Sequence, residues 1–168
     1  MGSEMCIRDS NSSDISLIDS RIFVLCSDGD MQEGIASETA SWAGHLGLGN
    51  LIALYDSNDI TIAGDAGLAM SEDVGKRFEA YGWHVQHCDG HNHDEIADCL
   101  EESLSVANKP SLIVAKTVIG KGAPTKEGTA GSHGAPLGQE EIEAAKLASG
   151  WNDLSLIHIS EPTRRYSI

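Results

Sequence analysis

The sequence predicts an α/β fold with a mostly parallel sheet and helices on both faces. Three observations predict it. Short apolar runs at 22–25, 51–55, 83–88 and 111–117 alternate with helical patterns. The run SLIVAKT is nearly continuous in apolar residues, as in a strand covered on both faces. Glycine is abundant, at 18 residues, and aromatics make up only 5%, which suits many βα turns better than a β-sandwich.

The elements follow in order. Ile22–Leu25 reads as a buried strand that ends in Ser27-Asp28-Gly29-Asp30, where glycine allows a sharp turn and close approach of a ligand. Asp30 and Glu33 have the spacing of a capping box for the next helix. Ile35, Thr39, Trp42, Ala43 and Leu46 recur at helical spacing and are expected to face the core, and Gly47 and Gly49 stop the helix. Leu51–Tyr55 is a second strand, followed by Asp56-Ser57-Asn58-Asp59.

Residues 61–71 form a glycine-rich loop. Ser71 is the expected N-cap of a helix to about Ala80, with Val74 and Phe78 inward. WHVQHC at 83–88 alternates as a third strand. A helix follows with Ile96, Leu100, Leu104 and Ala107 on one face and Glu95, Glu101 and Glu102 exposed, and Pro110 ends it. After the fourth strand, 119–138 is a long loop, a feature that is usually functional in a compact domain. Gln139–Ser149 is a last helix with Ile142 and Leu147 inward.

Strand, turn, helix and strand make a right-handed βαβ unit, so both strands end on one sheet edge, where such sheets bind ligands. Asp28 and Asn58 are therefore expected to be neighbours. Two oxygen donors near a helix N-terminus suit Mg²⁺ bridging a carboxylate to a diphosphate. An ordinary βαβ turn with solvent-facing acids would carry the same residues.

The formal charge of −15 argues against nucleic acid and anionic membranes as partners. No apolar run approaches a membrane span, and no secretory signal is evident. Cys6, Cys26, Cys88 and Cys99 show no CxxC spacing, so free thiols in a reducing compartment, the cytoplasm, are expected. His84, His87, Cys88, Asp89, His91 and His93 crowd one segment but match no zinc spacing. Lys116, Lys121 and Lys126 place positive charge near a strand end, which would suit phosphorylated ligands. His133 lies between Ser132 and Gly134, small neighbours that let an imidazole approach a ligand.

Asp28-Gly29, residues 30–57 and then Asn58 resemble the metal and diphosphate motif of thiamine-diphosphate enzymes, with Ser27 departing from its first glycine. Together DGDMQEG, LIALYDSNDITIAG, RFEAYGWHV, KPSLIVAKTVIGKGAPTKEGT and SHGAPLG resemble the transketolase family, in its order and spacing. The resemblance implies an incomplete thiamine-diphosphate-binding domain over 21–151. It implies Mg²⁺, with Ca²⁺ able to substitute, held by the side chains of Asp28 and Asn58 and the carbonyl of Ile60. Gly29 would approach the diphosphate, His133 would contact cofactor and substrate and assist proton transfer, and Glu33 and Glu38 would lie at the subunit contact of a homodimer. The implied reaction transfers a two-carbon ketol unit between sugar phosphates. The family's pyrimidine-binding domain is not in the chain, so the fragment alone is expected to be inactive.

Two alternatives carry part of the same pattern. One is another thiamine-diphosphate enzyme, such as a deoxyxylulose-phosphate synthase or a dehydrogenase E1 component. The other is a non-catalytic α/β binding module. At the ends, 1–20 and 152–168 fit no pattern around them and are expected to stand apart from the domain. The first is expected to be poorly ordered. MCIRDS and LSLIHISEPTRRYSI resemble translated sequencing adapter.

Overall fold

The computed structural model describes residues 14–15 and 19–151. The expectations for the two terminal segments, and for Cys6, lie largely outside that range. Two compact units are present, each built from two stretches of chain. One comprises the described residues up to Asp59 together with Asp65–Thr117, and the other Ile60–Gly64 and the residues from Val118 onward.

The first unit is a parallel sheet of β1 (Ile22–Ser27), β2 (Leu51–Ser57), β5 (His84–Asp89) and β6 (Ser111–Lys116), in the order β1-β2-β6-β5. The short strands β3 (Ile60–Thr61) and β4 (Gly64–Asp65) lie between β2 and β5 in sequence. Residue parity along the strands gives two cores. Ala53, Tyr55 and Leu112 pack with Met31, Ala40, Ala43, Val74, Phe78 and Trp83. Ile52, Ile113, Ala115 and Cys88 pack on the other face, with Ile96, Cys99 and Leu100 against them. Helices therefore cover both faces, as the sequence predicts. α1 (Asp28–Met31), α2 (Gly34–Leu46) and α3 (Val74–Ala80) contribute to the first core, and α4 (His93–Ser105) to the second.

Several local expectations are corrected. The helix after β1 is split: α1 is one turn, and α2 begins after Glu33. The capping box is Ser27 with Asp30, whose Oδ2 accepts from Ser27 N–H at 2.8 Å, and not Asp30 with Glu33. On α2, Ile35, Trp42 and Leu46 are 68%, 65% and 44% exposed, and Thr39 is exposed too, while Ala40 and Ala43 are buried. Close approach decides this. A Cβ on Gly44 would overlap the Tyr81 carbonyl, so only the small-residue face of α2 fits against its neighbours.

β1 is not buried. It is an edge strand, and Ile22, Phe23, Val24 and Leu25 are all exposed, Leu25 at 82%. Its composition is that of an interior strand, but no described strand pairs with its outer edge. The N-cap of α3 is Asp73, which accepts from Lys76 N–H at 3.0 Å, and not Ser71. Leu104 and Ala107 are exposed, because α4 ends at Ser105. Gly47 ends α2 in the left-handed conformation, φ 60°, as expected.

In the second unit, α5 (Gln139–Ala148) exposes Leu147 at 84% and Ile142 at 39%, against the inward orientation expected. What ties this unit together is polar. Glu141 accepts from Thr125 N–H at 2.7 Å, Thr125 Oγ1 at 2.8 Å and Lys126 N–H at 3.1 Å.

Candidate functional site

Asp28 stands at the end of β1 and is 3% exposed. A carboxylate that deep needs partners, and it has three. Tyr55 Oη donates to its Oδ1 at 2.6 Å, and the backbone N–H groups of Asn58 and Asp59 donate to its Oδ2 at 3.1 and 2.8 Å. Burial, and then the hydrogen bond to Asp28, push the Tyr55 phenol above its ordinary range, so it remains a donor.

The parallel register explains the meeting. β1 and β2 pair Ser27 with Asp56, so the residues just past each strand end lie side by side. Asp28 and Asn58 are brought together as expected. Sequence reasoning missed Tyr55 and Asp59. Tyr55 had only the signal of a polar-tipped aromatic near a strand end. Asp59 is the only described non-glycine with positive φ, 62°, the kind of backbone outlier that collects at functional sites. It pairs with Lys116, and Thr117 donates to Asp56. Lys116 is thereby committed to Asp59, and Lys126 Nζ donates to the Leu137 carbonyl at 2.7 Å, so two of the three lysines expected to suit phosphate are engaged within the protein.

The residues fit a hard cation. An ionised carboxylate has about four lone-pair positions, and Asp28 uses three within the protein. Asn58 adds an amide, whose Nδ2 donates to Asp56 at 3.2 Å. Among the described residues no three His, Cys, Asp or Glu side chains gather as a metal site, so a cation here would rest on carboxylate, amide and carbonyl oxygens. Gly29 is not the sharp turn expected, since it lies inside α1 without positive φ. Its contribution is space, because a Cβ there would meet nothing within 4 Å. The helix N-terminus at Asp28 belongs to one turn only, so its dipole is weaker than a long helix would supply.

A cavity of about 420 Å³ opens beside Asp28, lined by Tyr55, Asp59, Glu72, Asp73 and His87 among others. Its acidity favours a cation and disfavours an unaccompanied anion. Glu33, the N-cap of α2, and Glu38 are both exposed. Ile60, which begins β3, and His133, which follows a short 3-10 turn and is exposed, belong to the second unit.

The comparisons agree with this picture. The family model described as transketolase, thiamine diphosphate binding domain, matches residues 2–165. A transketolase of Geobacillus stearothermophilus is 48% identical over 152 residues, 90% of this chain. That of Bacillus subtilis is 48% identical over 142 residues, 84% of this chain. The chain spans 23% and 21% of those two relatives. Among solved structures, a Campylobacter jejuni transketolase superposes with TM-score 0.79 at 51% identity, covering 83% of this chain and 22% of that one. A Pichia stipitis transketolase, described in complex with sedoheptulose-7-phosphate, gives 0.81 at 41%, covering 88% and 22%. The chain belongs to the transketolase family, within its thiamine-diphosphate-binding domain.

Proposed function

We propose that this chain is part of a longer transketolase, with residues 21–151 as its thiamine-diphosphate-binding domain fragment and 1–20 and 152–168 outside it. The whole enzyme would move a two-carbon ketol unit from a ketose phosphate to an aldose phosphate in the cytoplasm. The observation that carries this reading is Asp28, a carboxylate 3% exposed and anchored on three donors, with Asn58 beside it. Three donors leave the carboxylate about one lone-pair position with which it could reach a metal.

Mg²⁺, or Ca²⁺ in its place, would be held by the side chains of Asp28 and Asn58 and the carbonyl of Ile60. The open space over Gly29 leaves room for the diphosphate. Bound thiamine diphosphate supplies the carbanion-stabilising chemistry. Everything else falls to the protein. The anchored Asp28 would hold the metal, and Tyr55, which donates to its Oδ1, limits its rotation. His133 would contact cofactor and substrate and hand a proton to or from the sugar through a ring nitrogen. Glu33 and Glu38 lie near Ile35, Trp42 and Leu46, an exposed apolar stripe that supports a subunit contact in a homodimer.

The test is ketol transfer by the longer polypeptide and by this chain alone. The longer polypeptide is expected to transfer, and Asp28→Ala to abolish transfer unless Mg²⁺ and cofactor are raised far above their usual levels. His133→Ala is expected to lower kcat and to weaken cofactor binding, the latter less than Asp28→Ala does. This chain alone is expected to be inactive. Absence of transfer by the longer polypeptide contradicts the reading.

A further inference from the structure

The segment RFEAYGWHV enters none of the roles above, yet its first residue holds the element that carries Asp28. Arg77 lies on α3 with its side chain 14% exposed. Its Nη2 donates to the carbonyl of Met31 at 2.9 Å, and its Nη1 donates to Ser37 Oγ. Glu72 Oε1 lies 3.0 Å from Nη2 and balances the charge, and the guanidinium sits 5.6 Å over the Phe78 ring. The Nε is buried without a partner, so the fork is committed to its two outer nitrogens. Met31 is the last residue of α1, and its carbonyl is one that a helix end leaves unpaired. Ser37 is in the first turn of α2. A single guanidinium therefore joins the end of the one-turn helix to the start of the next. Trp83, from the same segment, adds an indole N–H to the Ala40 carbonyl at 2.8 Å.

We propose that Arg77 is a positioning residue for the metal and diphosphate end of the site, acting by clamping α1 at Met31 so that Asp28 and Gly29, at the other end of that turn, stay in place. This role rests on the function proposed above. The four residues of α1 form a single turn, so freeing Met31 loosens the backbone that carries Asp28 and Gly29 and leaves the Asp28 carboxylate to its three donors alone. Lysine is a poor replacement, because its ammonium is a single point charge on a shorter stem, whereas the guanidinium meets Met31 O and Ser37 Oγ from two separate nitrogens.

The experiment uses the longer polypeptide, unsubstituted and as Arg77→Lys and Arg77→Met. It reads three quantities: thiamine diphosphate affinity with Mg²⁺ by calorimetry, the melting temperature of the cofactor-free protein, and amide exchange. Both variants are expected to lose about tenfold in affinity, the scale of a lost charged hydrogen bond. Arg77→Lys is expected to be no milder than Arg77→Met. Exchange is expected to quicken at 29–37 while β2 and β6 keep their protection, and KM for the sugar phosphates at saturating cofactor is expected to hold. A folded Arg77→Lys with unchanged affinity overturns the proposal, as does exchange that quickens equally everywhere, which would mark general destabilisation. If the Arg77 variants do not fold, Ser37→Ala removes one arm of the clamp and Glu72→Gln removes the charge that steadies the guanidinium. A severalfold loss of affinity is expected in each, and unchanged affinity in both overturns the proposal. Failure of the unsubstituted protein to bind the cofactor overturns the proposed function itself, and this role with it.

Discussion

Asp28 shows how much one residue depends on a neighbour that the sequence does not advertise. The pairing of Asp28 with Asn58 is legible, because parallel strands must end on one edge. The Tyr55 hydroxyl is not legible, since its reach to Asp28 follows from the strand register and the pleat. Tyr55→Phe removes a hydrogen bond to a charged, buried acceptor, and about 1.5–3 kcal/mol of stability should go with it. Urea unfolding of the variant against the parent measures this, and an unchanged midpoint would contradict the role given to Tyr55. The thiols make a second residue-scale prediction. Burial, then the Asp30 charge, raises Cys26 from 9.0 to about 11, and burial, then Cys99, raises Cys88 from 9.0 to about 11. The native state therefore holds these protons more tightly than the unfolded chain. Their contribution to stability is full below pH 9.0 and is lost as pH rises through about 11. Alkylation of both cysteines in the folded protein should be slow at neutral pH and speed up only toward that range, which mass spectrometry of the labelled peptides would follow.

At the scale of the element, the alternation of strands and helices was legible, and so was the end of α2 at Gly47, where turn chemistry is strong; Pro110 was not the end of α4, which stops at Ser105. The inward face of α2 was not. Its large apolar residues form a helical stripe, but its small residues are what permit close packing, and apolar periodicity does not distinguish a core face from a face made for another chain. The same ambiguity hid the edge position of β1. The start of α4 shows a cap that went unread: Asn92 Oδ1 accepts from Asp94 N–H at 3.1 Å and Glu95 N–H at 3.4 Å. Asn92→Ala should cost about 1 kcal/mol, measurable as a lower urea midpoint, whereas the exposed Glu101→Gln should change little. In the second unit Glu141 is held below the ordinary carboxylate range, first by the Thr125 backbone N–H. A depressed carboxylate adds stability above its unfolded pKa and loses it as pH falls through the lower folded value. Protection of the Thr125 and Lys126 amides, taken relative to the intrinsic exchange rate at each pH, should therefore fall on acidification, and in Glu141→Gln that fall should largely vanish.

For the molecule as a whole, apolar surface is left over. Phe23 and Leu25 on an unpaired strand edge, and Ile35 and Trp42 on α2, are each more than half exposed. Beside them an almost wholly apolar cavity of about 240 Å³ is lined by Val24, Cys26, Met31, Leu51 and Trp83, among others. Unpaired edges and apolar patches drive association. The chain on its own should associate as its concentration rises, and Leu25→Lys with Trp42→Arg should suppress this in light scattering without loss of helical signal. Monomeric behaviour of the unsubstituted chain at high concentration would contradict that reading. The transketolase relatives, about four times as long, supply a natural explanation for surface of this kind.

The most direct test of the central claim is calorimetric titration of the longer polypeptide with thiamine diphosphate, in Mg²⁺ and in EDTA, beside its Asp28→Ala variant. Binding that needs both the metal and Asp28 is the predicted result. Binding that is indifferent to EDTA or to Asp28, or no binding at all, would contradict it.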